Sequence, residues 1–389
     1  MALRHWLQLS FTEGIGPILT RRLIEAAGGA EAACNADADL LSQIEGIGSA
    51  KARLIAAALR SARNEVDAEL DRAAAEKIEL ICPDDAAYPP LLQSIPDPPL
   101  ILYVRGDLQP RDLNALAIVG SRKCSLYGRE QAERFAALLA GAGLTVISGG
   151  ARGVDSSAHR GALAQPQGRT IAVLGSGLDV IYPPENKSLF SQIAERGAII
   201  SEFSLGTPPN KENFPRRNRV VSGMSRGVLV VEADERSGAL ITARQACDDH
   251  GRPVFAIPGR IDSPLSAGPH QLIRDGAVLT ANLDDILSGL DPVPHHVTQP
   301  SLFGEGPGEL TESDVIPTPN ERTVSVPELS SLSAQQHLIL THLGPDPTTA
   351  DALIEATGLP AHAVLGELTY LTLKGQVRRV DGQSWSRKS

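Results

Sequence analysis

Three short stretches of this chain carry residue types suited to holding an anion. Gly120-Ser121-Arg122 follows an apolar run over 115–119. Ser148-Gly149-Gly150-Ala151-Arg152-Gly153 follows another over 144–147 and leads into a helical pattern near Val154. Glu235-Arg236-Ser237-Gly238-Ala239 opens a helical pattern over 240–249, with Thr242 in its first turns. Adjacent glycines leave backbone N–H groups uncovered, and a helix N-terminus adds positive potential. In a single loop the glycines would be read as serving a tight turn. Three such loops with added Ser and Arg favour phosphate binding. A fourth stretch, Lys211-Glu-Asn-Phe214-Pro-Arg216-Arg217-Asn-Arg219, gathers four cations around one ring ahead of a helix reaching about Met224. Arginine forks grip phosphates, and an aromatic face takes an unpaired base of any identity. The combination points to single-stranded nucleic acid. The competing reading makes Phe214 a core residue and turns arginines onto carboxylates such as Glu202 or Glu232. That is expected of at least one of Arg217 and Arg219.

Other chemistries fit less well. Gly223-Met-Ser225-Arg-Gly227 matches a nucleophile-elbow pattern, but a helix precedes it and a strand follows, the reverse of what the elbow needs. No GxxxxGK[ST] occurs, and Gly175-Ser-Gly177 lacks the third glycine of a dinucleotide fingerprint. Asp155 and His159 stand one helical turn apart. They offer an acid–base pair or half a metal site, but no second cluster completes a metal site, and a structural ion pair or a helix–sheet hydrogen bond fits better. The four cysteines are isolated, which argues against zinc and suits a reducing compartment. No cofactor is expected.

The elements that must position these loops are short apolar strands over 115–119, 144–147, 170–174, 198–200, 227–231, 253–257 and 277–280, alternating with helical patterns. This predicts a parallel sheet buried on both faces, with ligands outside the carboxyl ends of its strands. Strands over 77–82 and 100–104 extend the sheet. Upstream, Glu13-Gly-Ile-Gly16 and Glu45-Gly-Ile-Gly48 each precede a helical run, a doubled helix-hairpin-helix pattern that suits either DNA contact or internal docking. The stretch 290–330 is rich in proline and acids and reads as a linker. Beyond it, helices over 332–343, 348–356 and 360–374 and a hairpin over 375–382 read as a winged-helix module, and its weakly basic third helix suits a protein contact better than DNA. The expected division is a helical helix-hairpin-helix domain (1–62), an α/β Rossmann-like domain (63–288), a linker (289–330) and a winged-helix domain (331–389). The net charge of −10 spread over 389 residues argues against a nucleic-acid partner, but the cations are concentrated locally. No apolar run is long enough to span a membrane, and no leader is recognisable, so the chain reads as cytoplasmic.

The motifs Ile118-Val-Gly-Ser-Arg122, Ser148-Gly-Gly-Ala-Arg-Gly-Val-Asp155, Thr170-Ile-Ala-Val-Leu174, Phe214-Pro-Arg-Arg-Asn-Arg219, Arg236-Ser-Gly-Ala-Leu-Ile-Thr242 and Ile257-Pro-Gly259 occur in this order. Together they resemble the DprA (Smf) family of bacterial DNA-processing proteins. The resemblance implies an extended Rossmann-like domain that binds single-stranded DNA without catalysis. It also implies loading of RecA during natural transformation, and a homodimer. By motif position, Arg122, the 148–153 loop, Lys211 and Phe214 would line the DNA path. Gly150 stands where the family usually has leucine, so a more mobile loop is expected. The rival is a nucleotide phosphoribohydrolase of a related fold, whose motif carries an acid that 236–242 lacks.

Overall fold

The computed structural model describes residues 2–290, 334–344, 348–359, 364, 368, 371, 377–379 and 384–387. The chain divides into two compact units, Met1–Phe303 and Gly304–Ser389.

The first unit opens with six helices: α1 (Ala2–Phe11), α2 (Pro17–Ala27), α3 (Ala30–Cys34), α4 (Ala38–Ser42), α5 (Ser49–Ala62) and α6 (Val66–Ala75). The two Gly-Ile-Gly turns lie where expected, ahead of α2 and α5. Leu9, Leu23, Leu41, Ile55 and Leu59 fill a helical core. The opposite face of α1 belongs to another core. Trp6 and Leu7 pack with Tyr103, Leu174 and Ile193 of the α/β region, and the Trp6 indole donates to Asp84 at 2.6 Å.

Next come β1 (Glu79–Ile81), α7 (Pro90–Gln93), β2 (Leu102–Gly106), β3 (Ala115–Val119), α8 (Leu126–Gly141), β4 (Thr145–Ser148), α9 (Val154–Ala164), β5 (Thr170–Leu174) and α10 (Lys187–Arg196). They are followed by β6 (Ala198–Ser201), α11 (Asn213–Gly223), β7 (Val228–Val230), α12 (Gly238–Arg244), β8 (Val254–Ala256), α13 (Ala267–Arg274), β9 (Val278–Leu279) and α14 (Leu283–Gly289). Nine strands form one sheet in the order β1-β2-β6-β5-β4-β3-β7-β8-β9. The pairings from β6 through β9 are parallel, and β1 and β2 add antiparallel strands beyond β6. Every residue of β3 and β5 is buried, as expected of strands covered on both faces. The chain steps outward from β3 to β6 and then returns to place β7 on the other side of β3. The order therefore reverses between β3 and β7, and a crevice opens beyond their carboxyl ends.

Two local expectations fail. The basic motif does not precede a helix, because most of it lies inside α11, so its arginines point in several directions around one axis. The helix over 240–249 begins earlier, at Gly238, and changes at Gln245 to one wide turn.

The second unit contains α15 (Ala334–His342), β10 (Thr348–Thr349), α16 (Ala350–Thr357), β11 (Val377–Arg379) and β12 (Ser384–Arg387). Its sheet has the order β10-β12-β11, which gives the helices and hairpin of a winged-helix fold. Ile339, Leu353, Val364, Leu368, Leu371 and Trp385 form its core. The helix expected over 348–356 starts two residues later, because Thr348 and Thr349 pair with Trp385 and Ser384. The Thr349 hydroxyl then caps it, accepting from the Ala352 N–H at 3.3 Å. Nearly all of the linker expected over 289–330 lies outside the described residues. Among the described residues no helix is long and apolar enough to cross a membrane.

Candidate nucleic-acid interface

The crevice at the β3/β7 reversal has a volume of about 570 Å³, and most of its wall comes from four segments of sequence. Gly120 to Lys123 leave β3, and Gly149 and Ala151 leave β4, with Asp155 following in α9. The first turns of α11 bring Phe214, Pro215, Arg217 and Asn218. The β7–α12 connection brings Asp234, Ser237 and Gly238. Gly120 permits this convergence: a side chain there would meet Val154 at 2.6 Å and the Glu232 carbonyl at 2.8 Å. The buried Glu232 carboxylate fastens α8 beside it, accepting from the Ser125 N–H at 2.8 Å and the Ser125 hydroxyl at 2.6 Å. Glu232 is thus a helix fastener and not the arginine partner considered from sequence.

The Arg122 guanidinium lies over the Phe214 ring, 4.5 Å from its centroid. The ring is half-buried, packed near Gly175 and 6.1 Å from the Tyr182 ring. Arg122 and Phe214, separated by almost a hundred residues, therefore share one patch of the crevice. A cation over an aromatic face is attracted by the ring's quadrupole. It also occupies a face that a base could take. Lys211 and Arg216 are exposed, with Arg216 5.1 Å over the Phe203 ring. Arg152 is exposed and forks onto Glu185. The Ser121 side chain is nearly buried and accepts from the Lys123 N–H at 3.1 Å. Ser237 caps α12, accepting weakly from the Ala239 N–H at 3.4 Å, and Gly238 faces open space. Lys123 and Tyr182 were not picked out from sequence. Lys123 could have been, since it extends the basic loop by one residue.

Three expected contact residues, Ser148, Gly150 and Arg219, lie behind this surface, and two more, Gly149 and Arg217, reach its wall from buried positions. Ser148 is fully buried, its hydroxyl donating to the Ile118 carbonyl at 2.6 Å. Gly149 and Gly150 are buried as well. The Gly149 carbonyl accepts from Arg217, and the Gly150 carbonyl accepts from Asn186 at 3.0 Å. Nor does Gly150 loosen the loop. It holds a left-handed conformation (φ +65°), and a side chain there would meet the Phe190 ring at 2.9 Å. The loop is a packed joint and not an open cradle. Arg217, 4% exposed, donates to the carbonyls of Gly149 and Val173. Burial pushes its guanidinium down to about 10, against the pull of Asp155. Arg219 is ion-paired inside with Glu202 at 2.5 Å and reaches Asp97 at 3.0 Å. The motif thus divides its cations: Lys211 and Arg216 face outward, while Arg217 and Arg219 hold the fold.

The other motifs are structural. Asp155 accepts from the Ala151 N–H at 3.2 Å, and burial raises its pKa against the Arg217 charge. His159 Nδ1 sits 2.7 Å from the Thr170 hydroxyl. Burial holds this imidazole neutral, pushed down to about 3, with Arg217 and Arg160 adding to the effect. Neither side chain reaches the other. The Ser225 hydroxyl is buried and donates to the Val221 carbonyl at 2.8 Å, closing a helix end.

A family model described as DNA recombination-mediator protein A matches residues 79–291, and one described as the DprA winged helix domain matches 324–383. Protein Smf of Synechocystis sp. is 34% identical over 99% of this chain and 98% of its own. DNA processing protein DprA of Streptococcus pneumoniae is 45% identical over 52% of this chain and 71% of its own. The X-ray structure of DNA processing protein A from Streptococcus pneumoniae superposes with a TM-score of 0.66 at 34% identity, covering 75% of this chain and 99% of that one.

Proposed function

Because the chain belongs to the DNA recombination-mediator protein A (DprA, Smf) family, we propose that it binds single-stranded DNA in the β3/β7 crevice during DNA processing. The observation that carries this reading is the Arg122–Phe214 pair. On binding, Arg122 turns from the ring to a phosphate and a base takes the ring face. Ser121, Lys123, Ser237 and Gly238 line the same crevice, and the exposed Lys211, Arg216 and Arg152, outside that lining, would meet neighbouring phosphates of the strand. The role is binding and not catalysis. The finer part of the proposal is protection of incoming strands and their transfer to RecA in the cytoplasm by a homodimer, which rests on family membership. The division into helical, Rossmann-like, linker and winged-helix segments is part of the same proposal.

The crevice is also large enough for a mononucleotide, so hydrolysis of AMP is the reading to be tested beside it. Asp155 is the carboxylate of the glycine-loop region that lines the crevice, and it accepts a backbone N–H from Ala151, so it is the group that the AMP assay tests.

A single strand is expected to bind more tightly than a blunt duplex of equal length in matched buffer. Its log affinity should fall with log salt by about 0.7 per phosphate engaged. Anisotropy titrations over a salt series, with adenine release from AMP followed in parallel, decide the matter. Equal or tighter duplex binding, or release of adenine, overturns the proposal.

A further inference from the structure

Beyond the crevice, on the far side of the Gly120–Lys123 loop, a second hollow of about 320 Å³ is lined by Arg122, Lys123, Cys124, Arg129, Arg152, Gly153, Ser156, Arg160, Glu185 and Asn186. Five of these residues are cations and one is an acid. Glu185 is already engaged by Arg152. Arg122, Lys123, Arg129 and Arg160 are exposed and form no ion pair among the described residues. So dense a cationic surface stands apart from a chain with a net charge of −10, and its local field attracts anions.

Two features narrow the ligand. No aromatic or large apolar side chain lines the hollow, so it offers nothing for a base to stack on. Its uncharged polar groups are satisfied internally, with Asn186 donating to the Gly150 carbonyl and the Ser156 hydroxyl, and Ser156 donating to the Ala151 carbonyl. What remains is charge without base readout, which suits backbone phosphates. Arg122 and Lys123 line both this hollow and the crevice, so the two form one continuous basic path.

We propose that the hollow around Arg129 and Arg160 is a phosphate track for the part of the strand that leaves the crevice. A strand anchored at Phe214 passes the Arg122–Lys123 ridge and lays its backbone against the first turn of α8 and the exposed face of α9. This extends the single-strand reading and rests on it.

The test is length dependence in the full chain. Oligothymidylates spanning about 4 to about 16 nucleotides cover the usual range of single-strand site sizes. The parent's affinity is expected to rise with length past the shortest oligomer that binds. The Arg129→Ala/Arg160→Ala variant should bind the shortest oligomer as the parent does, but lose about tenfold on the longest. Its salt slope there should be shallower by about 1.4, two phosphates at about 0.7 each. An abasic extension should be affected as strongly as a thymidine one, and Arg129→Lys/Arg160→Lys should recover most of the loss. Equal loss at every length, or no loss at any, overturns the track. Loss of binding on Arg122→Ala with an unaffected Arg129/Arg160 variant would overturn the track alone and leave the crevice reading standing.

Discussion

Phe214→Ala is expected to weaken single-strand binding by about fivefold to about 150-fold, the equivalent of the roughly 1–3 kcal/mol a stacked base contributes, with the salt slope nearly unchanged. The ring can offer a base only a face and carries no charge to exchange for counterions. Lys211→Ala removes one exposed charge and no stacking surface, so it should lower affinity and make the slope shallower by about 0.7. Arg122→Ala combines the two effects. It deletes a cation from the crevice and uncovers the Phe214 ring, which that guanidinium overlies at 4.5 Å. Its salt slope should fall like that of Lys211→Ala, while part of the lost affinity is returned by an unobstructed ring. An abasic strand separates the contributions, because Phe214→Ala should matter little where there is no base to stack. Thermal unfolding must be followed alongside. A phenylalanine wholly in the core would cost about 3–5 kcal/mol on truncation, and the half-buried Phe214 should cost clearly less. A variant that melts far below the parent, or loses equally on normal and abasic strands, would make Phe214 a packing residue.

Arg219→Ala should act on stability instead, lowering it by about 3–5 kcal/mol, the usual result of removing one member of a buried ion pair. The Arg219 and Glu202 side chains are 6% and 5% exposed and meet at 2.5 Å. Burial raises the Glu202 pKa even with Arg219 opposing it. Without the arginine this buried carboxylate loses its ion pair and keeps only the more distant pull of Arg216. Arg219→Leu combined with Glu202→Leu should recover most of the loss, since apolar groups of similar size replace such pairs with little penalty. Denaturant unfolding of the parent, the single and the double variant gives the comparison. Where Arg219→Ala remains folded, its salt slope for DNA should equal the parent's. A stable variant with a shallower slope would put Arg219 on the DNA after all.

The divided roles within 211–219 mark the limit of what the sequence reveals. The strands were legible because β3 and β5 are unbroken apolar runs, and 115–119 and 170–174 match their observed bounds. The convergence of three loops was legible too, since parallel strands place their carboxyl ends along one edge. A cluster of arginines, however, reads as a surface for phosphates on composition alone. What turns Arg217 inward is a pair of carbonyls, on Gly149 and Val173, contributed by other strands. The same distance hides the burial of Ser148 and Gly150. A glycine pair looks like an open cradle until Phe190, forty residues on, fills the space beside it. The expectation that one of Arg217 and Arg219 would meet an internal carboxylate did hold, at Arg219. Thr348 and Thr349 repeat the lesson in the second unit, where a partner strand more than thirty residues away overrides a helical pattern.

The most direct test of the central claim is photocrosslinking of a single strand carrying a photoreactive thymidine analogue, with adducts located by peptide mass spectrometry. Adducts are expected to concentrate on peptides containing 120–123 and 211–218, with Phe214 the principal site, and Phe214→Ala should remove that adduct while those around Lys123 persist. Adducts confined to the helices over 2–75 or to the second unit, with the crevice peptides unmodified, would contradict it.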